Sequence, residues 1–386
     1  MYVRHLSVTD FRSWTNAELA LEPGPNVLIG ANGQGKTNLL EALGYVATLG
    51  SHRVSGDAAL VRHGAERAVV GCALVAAGRE LRVELELTPG RANKARLNGA
   101  PQPRARDVLG ALRCVVFAPE DLAIVRGDPG ERRRFLDELV VARAPRLAGV
   151  RADYERVLRQ RAALLKSAGA GRRGGSGGSE SVAATLDVWD SHLAEHGSQL
   201  LSARLEAVRD LRPYAVAAYA QVAPASAGLT LHYASGLADA LPELAADEVP
   251  PTEALHTALL AELARMRPAE LERGVNLVGP HRDDLDLGIG VLPVRGYASH
   301  GEGWSVALAL RLGSFELQSA DAPGHQTPVL LLDDVFAELD AGRREQLALV
   351  AAKAEQAVVT AAVGSDVPEQ LAGTSFRVAD GAVTRA

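Results

Sequence analysis

The 386-residue sequence lacks any apolar run near the roughly 18–20 residues that a membrane-spanning helix needs. Its opening, Met1-Tyr2-Val3-Arg4-His5, moves straight into a strand-like alternation and lacks the form of a secretion signal. A cytoplasmic protein that does not engage a membrane is therefore expected. Cysteine is nearly absent. Cys72 and Cys114 are the only two, without metal-ligand spacing, and read as reduced core thiols. There is no excess of positive charge either: the net charge is −6 and the pI about 6.0. That excludes a globally basic nucleic-acid binder and leaves only a local patch to meet a phosphate backbone. Lysine is scarce, with Lys36, Lys94, Lys166 and Lys353 the only four, so basic charge is nearly all arginine. Sustained heptads and internal repeats are missing, which excludes a long coiled coil.

What is present is ordinary for a globular chain: 47% hydrophobic and 23% charged residues, with length enough for two structural units. Short strand patterns run over Tyr2–Thr9, Ala17–Leu21 and Asn26–Ile29, followed by helical spacing over 38–49. Strand character returns at Ala68–Val75, Glu80–Leu87, Ala95–Leu97 and Arg113–Phe117. At Asp128-Pro129-Gly130-Glu131 the texture changes to a helix start, with helical patterning to about residue 212, and another helix begins near Thr252. The stretch 169–179, glycine-rich and unable to bury apolar surface, is expected to be a flexible loop. Strands resume at Leu285–Ile289, Val329–Leu332 and Ala357–Thr360. The expectation is an α/β head built from residues 1–127 and 285–386 together, with a largely helical lid or arm at 128–284.

The strongest motif is Gly30-Ala31-Asn32-Gly33-Gln34-Gly35-Lys36-Thr37, a full G-x-x-x-x-G-K-[ST] match between an apolar strand and a helix. Its glycines let backbone N–H groups wrap a phosphate, and the helix N-terminus adds a favourable dipole. Lys36 is placed to reach the β- and γ-phosphates of ATP, and Thr37 to ligate Mg²⁺. The partner signal is Val329-Leu330-Leu331-Leu332-Asp333-Asp334, a buried strand delivering two carboxylates to a sheet edge. Asp333 is assigned to Mg²⁺ and Asp334 to the attacking water as general base. Third is Ser299-His300-Gly301-Glu302, opening a helix; taken alone it is a simple N-cap.

The order of loop, Ser299-x-Gly301-Glu302 helix and acidic strand resembles the ABC-type ATPases, in which the signature helix of one protomer completes the ATP site of another. Ala337–Asp340 then looks like the D-loop and Val358–Thr360 like the switch strand. More specifically, six blocks resemble the RecF family of bacterial recombination and gap-repair ATPases, relatives of the SMC-type heads. They are Asp10–Ser13, Gly30–Asn38, Phe117–Leu122, Arg132–Asp137, Gly279–Leu285 and Leu331–Phe336, in order along the whole chain. The resemblance implies an ABC-type P-loop head with a helical lid, and Arg12, Asn38 and the Pro119-Glu120 region near the nucleotide. It also implies weak ATP hydrolysis, an ATP-dependent homodimer, binding to single-stranded and gapped double-stranded DNA, and RecR- or RecO-type mediator partners. Its setting would be DNA replication, recombination and repair in the SOS response to DNA damage. Where the family carries glutamines and an arginine in its signature, this chain has His300, Gly303 and Trp304. A transporter nucleotide-binding subunit and an SMC-like clamp are the alternatives.

Arg132, Arg133 and Arg134 are candidates for DNA phosphates, with a solvated helix face as the equal alternative. His281-Arg282-Asp283-Asp284 reads as local capping and pairing rather than a metal site, Arg172-Arg173 as a solvated loop, and Trp304 as core or interface. No catalytic role is assigned to Thr360-Ala361-Ala362. If the loop assignment holds, Lys36→Ala removes the charge that neutralises the β- and γ-phosphates. ATP affinity by calorimetry should then fall by orders of magnitude; unchanged affinity would refute the assignment.

Overall fold

The structure, a computed structural model, describes every residue except 55, 174–178 and 323–325. The chain begins with β1 (Tyr2–Phe11) and β2 (Trp14–Ala20), then β3 (Gly24–Ile29), which leaves them for a different sheet. Helix α1 (Lys36–Thr48) follows the loop. Four further strands are β4 (Ala68–Ala76), β5 (Arg79–Leu87), β6 (Lys94–Leu97) and β7 (Ala100–Pro101). They complete a six-stranded antiparallel sheet in the order β2-β1-β4-β5-β6-β7. Alternation fixes its inner face: Leu6 and Val8 of β1, Val70, Cys72 and Leu74 of β4, and Val83, Leu85 and Leu87 of β5 are all buried. Cys72 lies in this core, and burial raises its thiol pKa well above the ordinary range. β8 (Cys114–Phe117) joins the other large sheet, and burial there pushes the Cys114 thiol up to about 12.

The middle of the chain is helical. After the short α2 (Leu122–Arg126) come α3 (Pro129–Arg143), α4 (Leu147–Arg173) and the 44-residue α5 (Ser179–Val222), about 66 Å long at 1.5 Å per residue. The predicted loop at 169–179 falls partly on helix, since α4 runs to Arg173 and α5 starts at Ser179; the rest of it lies outside the described residues. Helix α5 also passes through Pro213, beyond the predicted end near 212. Its Ala215, Ala218, Tyr219 and Val222 are buried, so packing outweighs the hydrogen bond that the proline forfeits. The lid is not wholly helical. β9 (Leu229–Ala234), α6 (Pro242–Ala245) and α7 (Thr252–Arg273) precede β10 (Asp284–Ile289) and β11 (Leu292–Pro293). The three strands pair as β11-β10-β9, so the expected boundary at 284/285 cuts a strand that belongs with β9.

Arginines hold this region together from inside. Arg161 on α4 is fully buried and bonds Asp190 of α5 at 2.6 Å, Glu270 of α7 at 2.5 Å and Asn276 at 2.7 Å. Arg204 of α5 grips Asp137 of α3 at 2.7 and 3.0 Å and the Pro280 carbonyl at 2.7 Å. Arg132, a candidate for DNA phosphates or else for a solvated helix face, is 4% exposed; it forms a two-pronged pair with Asp284 at 2.7 and 2.8 Å and donates to the Gly127 carbonyl. It is an internal fastener with no face for a phosphate. Arg133 donates to the Asp283 carbonyl, and Arg134 pairs with Glu138 and the Ser51 carbonyl. The distorted turn α8 (Val294–Tyr297) leads into α9 (His300–Ala320), buried along most of its length against α5.

The chain then re-enters the head. β12 (Val329–Asp333), α10 (Val335–Glu338), α11 (Ala341–Lys353), β13 (Gln356–Ala361), β14 (Thr374–Ala379) and β15 (Ala382–Arg385) follow in order. The second sheet runs β15-β14-β3-β13-β12-β8, parallel except at β15. It is apolar on both faces, as a covered parallel sheet must be. Val329 and Leu331 pack with α1 and the antiparallel sheet, while Leu330 and Leu332 pack with the lid helices.

The Gly279–Leu285 block is structural. His281 Nδ1 meets the Tyr154 hydroxyl at 2.7 Å, Arg282 donates to the Asn276 carbonyl, and Asp283 is held by Tyr233, Ser235 and the Gly236 N–H. Burial lowers the His281 pKa to about 4; the Asn276 carbonyl opposes that shift, and nearby Arg282, Arg133 and Arg161 favour it. Its folded value lies below its unfolded one, so the stability it contributes is present above about pH 6.5 and lost as pH falls towards 4. That loss should amount to about 3 kcal/mol at most. In urea unfolding, the stability gap between wild type and His281→Gln should shrink between pH 7 and 4; a constant gap would contradict the buried neutral imidazole.

Candidate nucleotide site

Parallel pairing decides where the site lies. β13 sits between β3 and β12 in the sheet, with Ile29 opposite Ala361 and Asp333 opposite Thr360. The carboxyl ends of β3, β13 and β12 therefore emerge side by side, and all the loop chemistry gathers at one edge.

Gly30 leaves β3 against β14. A Cβ there would come within 2.1 Å of the Val378 carbonyl oxygen, so only glycine fits. Gly35 caps α1 at φ 92°, and a side chain there would strike Ser13 and Trp14. The β1–β2 turn braces this point: Trp14 Nε1 donates to the Gly35 carbonyl at 3.0 Å, and Asn38 Nδ2 donates to Ser13 Oγ at 2.9 Å. Across the loop, Gln34 Oε1 accepts from the Asp380 N–H at 3.0 Å. Among the described residues no side chain caps α1, whose first N–H groups are a natural anion site. Ala31, Asn32 and Gly33 form the outer rim.

Lys36 is 3% exposed, and its ammonium donates to the Gly30 and Ala31 carbonyls at 2.7 and 3.2 Å. Among the described residues no carboxylate pairs with it. A buried cation held only by neutral carbonyls calls for an anion. Next to it, Thr37 Oγ1 donates to Asp333 Oδ1 at 2.9 Å, joining residues 296 apart. Thr360 Oγ1 donates to the same Asp333 oxygen at 2.7 Å and accepts the Asp334 N–H at 2.9 Å. Burial raises the Asp333 pKa, Asp334 adds to the rise, and the two threonine hydroxyls and His52 oppose it. Asp334 adopts a left-handed conformation (φ 47°), and its carboxylate has no hydrogen-bond partner among the described residues. The hydroxyl and carboxylate oxygens of Thr37 and Asp333 are the hard donors that suit Mg²⁺.

Arg12 is held beside the loop by Glu41, a fully buried carboxylate one turn into α1, with bonds of 2.8 and 2.5 Å. Burial opposes ionisation of Glu41, but bonds from Arg12 and Ser51 and the charges of Arg12 and Arg53 outweigh it and keep its pKa low. Arg53 donates to Asn38 at 3.0 Å and stands 3.8 Å from Glu120, which brings the Pro119-Glu120 turn to the same side. Sequence reasoning missed Trp14, Glu41 and Arg53, and it placed Thr360 at the end of a switch-like strand without giving it a role.

Ser299, Gly301 and Glu302 share no hydrogen bond with this cluster among the described residues. Ser299 Oγ accepts from the Glu302 N–H and Glu302 accepts from the Ser299 N–H, a capping box on α9. Ser305 Oγ donates to the Gly301 carbonyl and accepts from Arg343, which pairs with Asp340 and so ties the start of α9 to the turn that precedes α11. Ser299 and His300 are exposed, whereas Trp304 is buried in the core.

The family model described as "RecF/RecN/SMC N terminal domain" matches residues 2–370. A Kineococcus radiotolerans protein described as "DNA replication and repair protein RecF" is 60% identical over 380 residues, 97% of this chain and 96% of that one. A solved structure described as "recombination mediator protein RecF-ATP in RecFOR pathway" aligns with a TM-score of 0.87 and 26% identity, covering 100% of this chain and 97% of that one. A Pyrococcus furiosus Smc head domain bound to part of ScpA aligns at a TM-score of 0.54 and 15% identity, covering 100% and 96%, a likeness of fold alone.

Thr360 serves Asp333 and Asp334 at once. Thr360→Val should strand the Asp334 N–H and lower stability by about 1–3 kcal/mol in urea unfolding, while Thr360→Ser retains it. Equal stability of the valine and serine variants would show that the hydroxyl does not hold the site.

Proposed function

The chain belongs to the RecF family, and from that premise we propose that it is an ATP-dependent DNA-binding protein of replication and recombinational repair. It would dimerise on ATP, grip single-strand/double-strand junctions at gaps, and let go on slow hydrolysis. The observation that carries this reading is the Thr37–Asp333 bond, which unites the phosphate loop and the acidic strand across the whole chain. Family membership sets aside the transporter subunit, and the lid helices are too short for an SMC-like arm.

In this reading the α1 N-terminus and Lys36 bind the β- and γ-phosphates, and the adjacent Arg12 and Asn38 orient the nucleotide. Thr37 and Asp333 would hold Mg²⁺, which supplies charge neutralisation on the phosphates when bound. Asp334, whose carboxylate is unpaired among the described residues, orients and deprotonates the attacking water. The exposed, capped start of α9 would complete the site of a second copy. Two sites across a two-fold axis would make the nucleotide itself part of the dimer interface. RecR- or RecO-type proteins would be its partners, and the cytoplasm its location.

The test separates the two aspartates. Asp333→Asn should weaken Mg²⁺-dependent ATP binding and form no dimer on gapped duplex in sedimentation. Asp334→Asn should bind normally, turn over roughly 10²–10⁴-fold more slowly and persist as a DNA-bound dimer. Identical behaviour of the two, or normal turnover by Asp334→Asn, would overturn this division of labour.

A further inference from the structure

Helix α5 carries a second constellation that the nucleotide chemistry does not use. His192, Glu195 and His196 stand three and four residues apart, a spacing that puts all three on one helical face. One ligand atom from each lies within 4.8 Å of the others. His192 Nδ1 is 3.6 Å from the Glu195 carboxylate, and its ring leans on Trp189 with centroids 6.4 Å apart. His196 is half-buried and has no hydrogen-bond partner among the described residues. Glu195 and His192 are exposed, so an ion can reach them from solvent.

We propose that this cluster is a binding site for a divalent transition metal of the zinc type on the outer face of the lid. Two imidazole nitrogens and one carboxylate oxygen form a borderline donor set that suits Zn²⁺, Cu²⁺ or Ni²⁺. Mg²⁺, which the oxygens of Thr37 and Asp333 suit, prefers an all-oxygen shell and keeps its waters. Three ligands from one helix leave a coordination position open to solvent, so the site exchanges its metal freely. Both histidines must be neutral to ligate, so the ion competes with protons for their ring nitrogens. Holding residues one turn apart, the ion also fastens this stretch of α5 in helical form.

The experiment uses the full chain without a histidine tag, with Mg²⁺ in excess to engage the hard oxygen site. Zn²⁺ titration by calorimetry should show one ion per chain without nucleotide, and Zn²⁺ should raise the thermal midpoint. His192→Ala, at an exposed position that leaves the metal-free midpoint unchanged, should weaken uptake by roughly tenfold or more. Cu²⁺ should quench the emission of Trp189, one of only three tryptophans, and Trp189→Phe should remove most of that quench. Equal Zn²⁺ affinity in wild type, His192→Ala and His196→Ala would overturn the proposal, as would uptake by none of them.

Discussion

The whole molecule depends on the insertion of β13 between β3 and β12. That parallel register sets Thr360 beside Asp333 and Ile29 beside Ala361, and so carries the phosphate loop to the acidic strand end. Each strand alone is an apolar run ending in polar residues. Together, in one phase, they place a buried ammonium, three hydroxyl or carboxylate groups and a free helix end at one edge. A slip of a single residue would turn Leu331 towards the lid and Leu332 towards α1, and would carry Asp333 away from Thr37. The two-sided core around β12 therefore defends the chemistry as well as the stability.

The scarcity of lysine has a structural counterpart in the lid. Its interior is fastened by Arg132, Arg161 and Arg204, each presenting a planar fork to one or more carboxylates or carbonyls. Such pairs add little net stability over apolar residues of the same shape, because desolvation offsets the attraction. They do fix geometry: Arg161 accepts only one mutual placement of α4, α5 and α7.

Much of this was legible in the residues. The loop at 30–37 and the strand at 329–334 declared themselves because their chemistry demands particular side chains at fixed spacing. The head strands followed from alternation and apolar runs. Where legibility failed, tertiary contacts had overruled local signals. Pro213 marks a helix end in any local reading, yet burial of Ala215 and Tyr219 carries α5 past it. A run of three arginines on a helix start looks like a phosphate-binding face, and only Asp284, 152 residues onward from Arg132, explains the first of them. Thr360 could be placed at the end of a switch-like strand but not given a task, because a single hydroxyl has no pattern and its meaning lies in which strands flank it.

The span of the Thr37–Asp333 bond also bears on how the molecule is made. The loop leaves the ribosome 296 residues before its acidic partner, an interval of roughly 15–60 s at about 5–20 residues per second. Throughout that time β3 has neither of its eventual neighbours, β13 and β14, and its bare edges are open to wrong pairing. Incomplete chains thus hold a phosphate loop with no opposite wall.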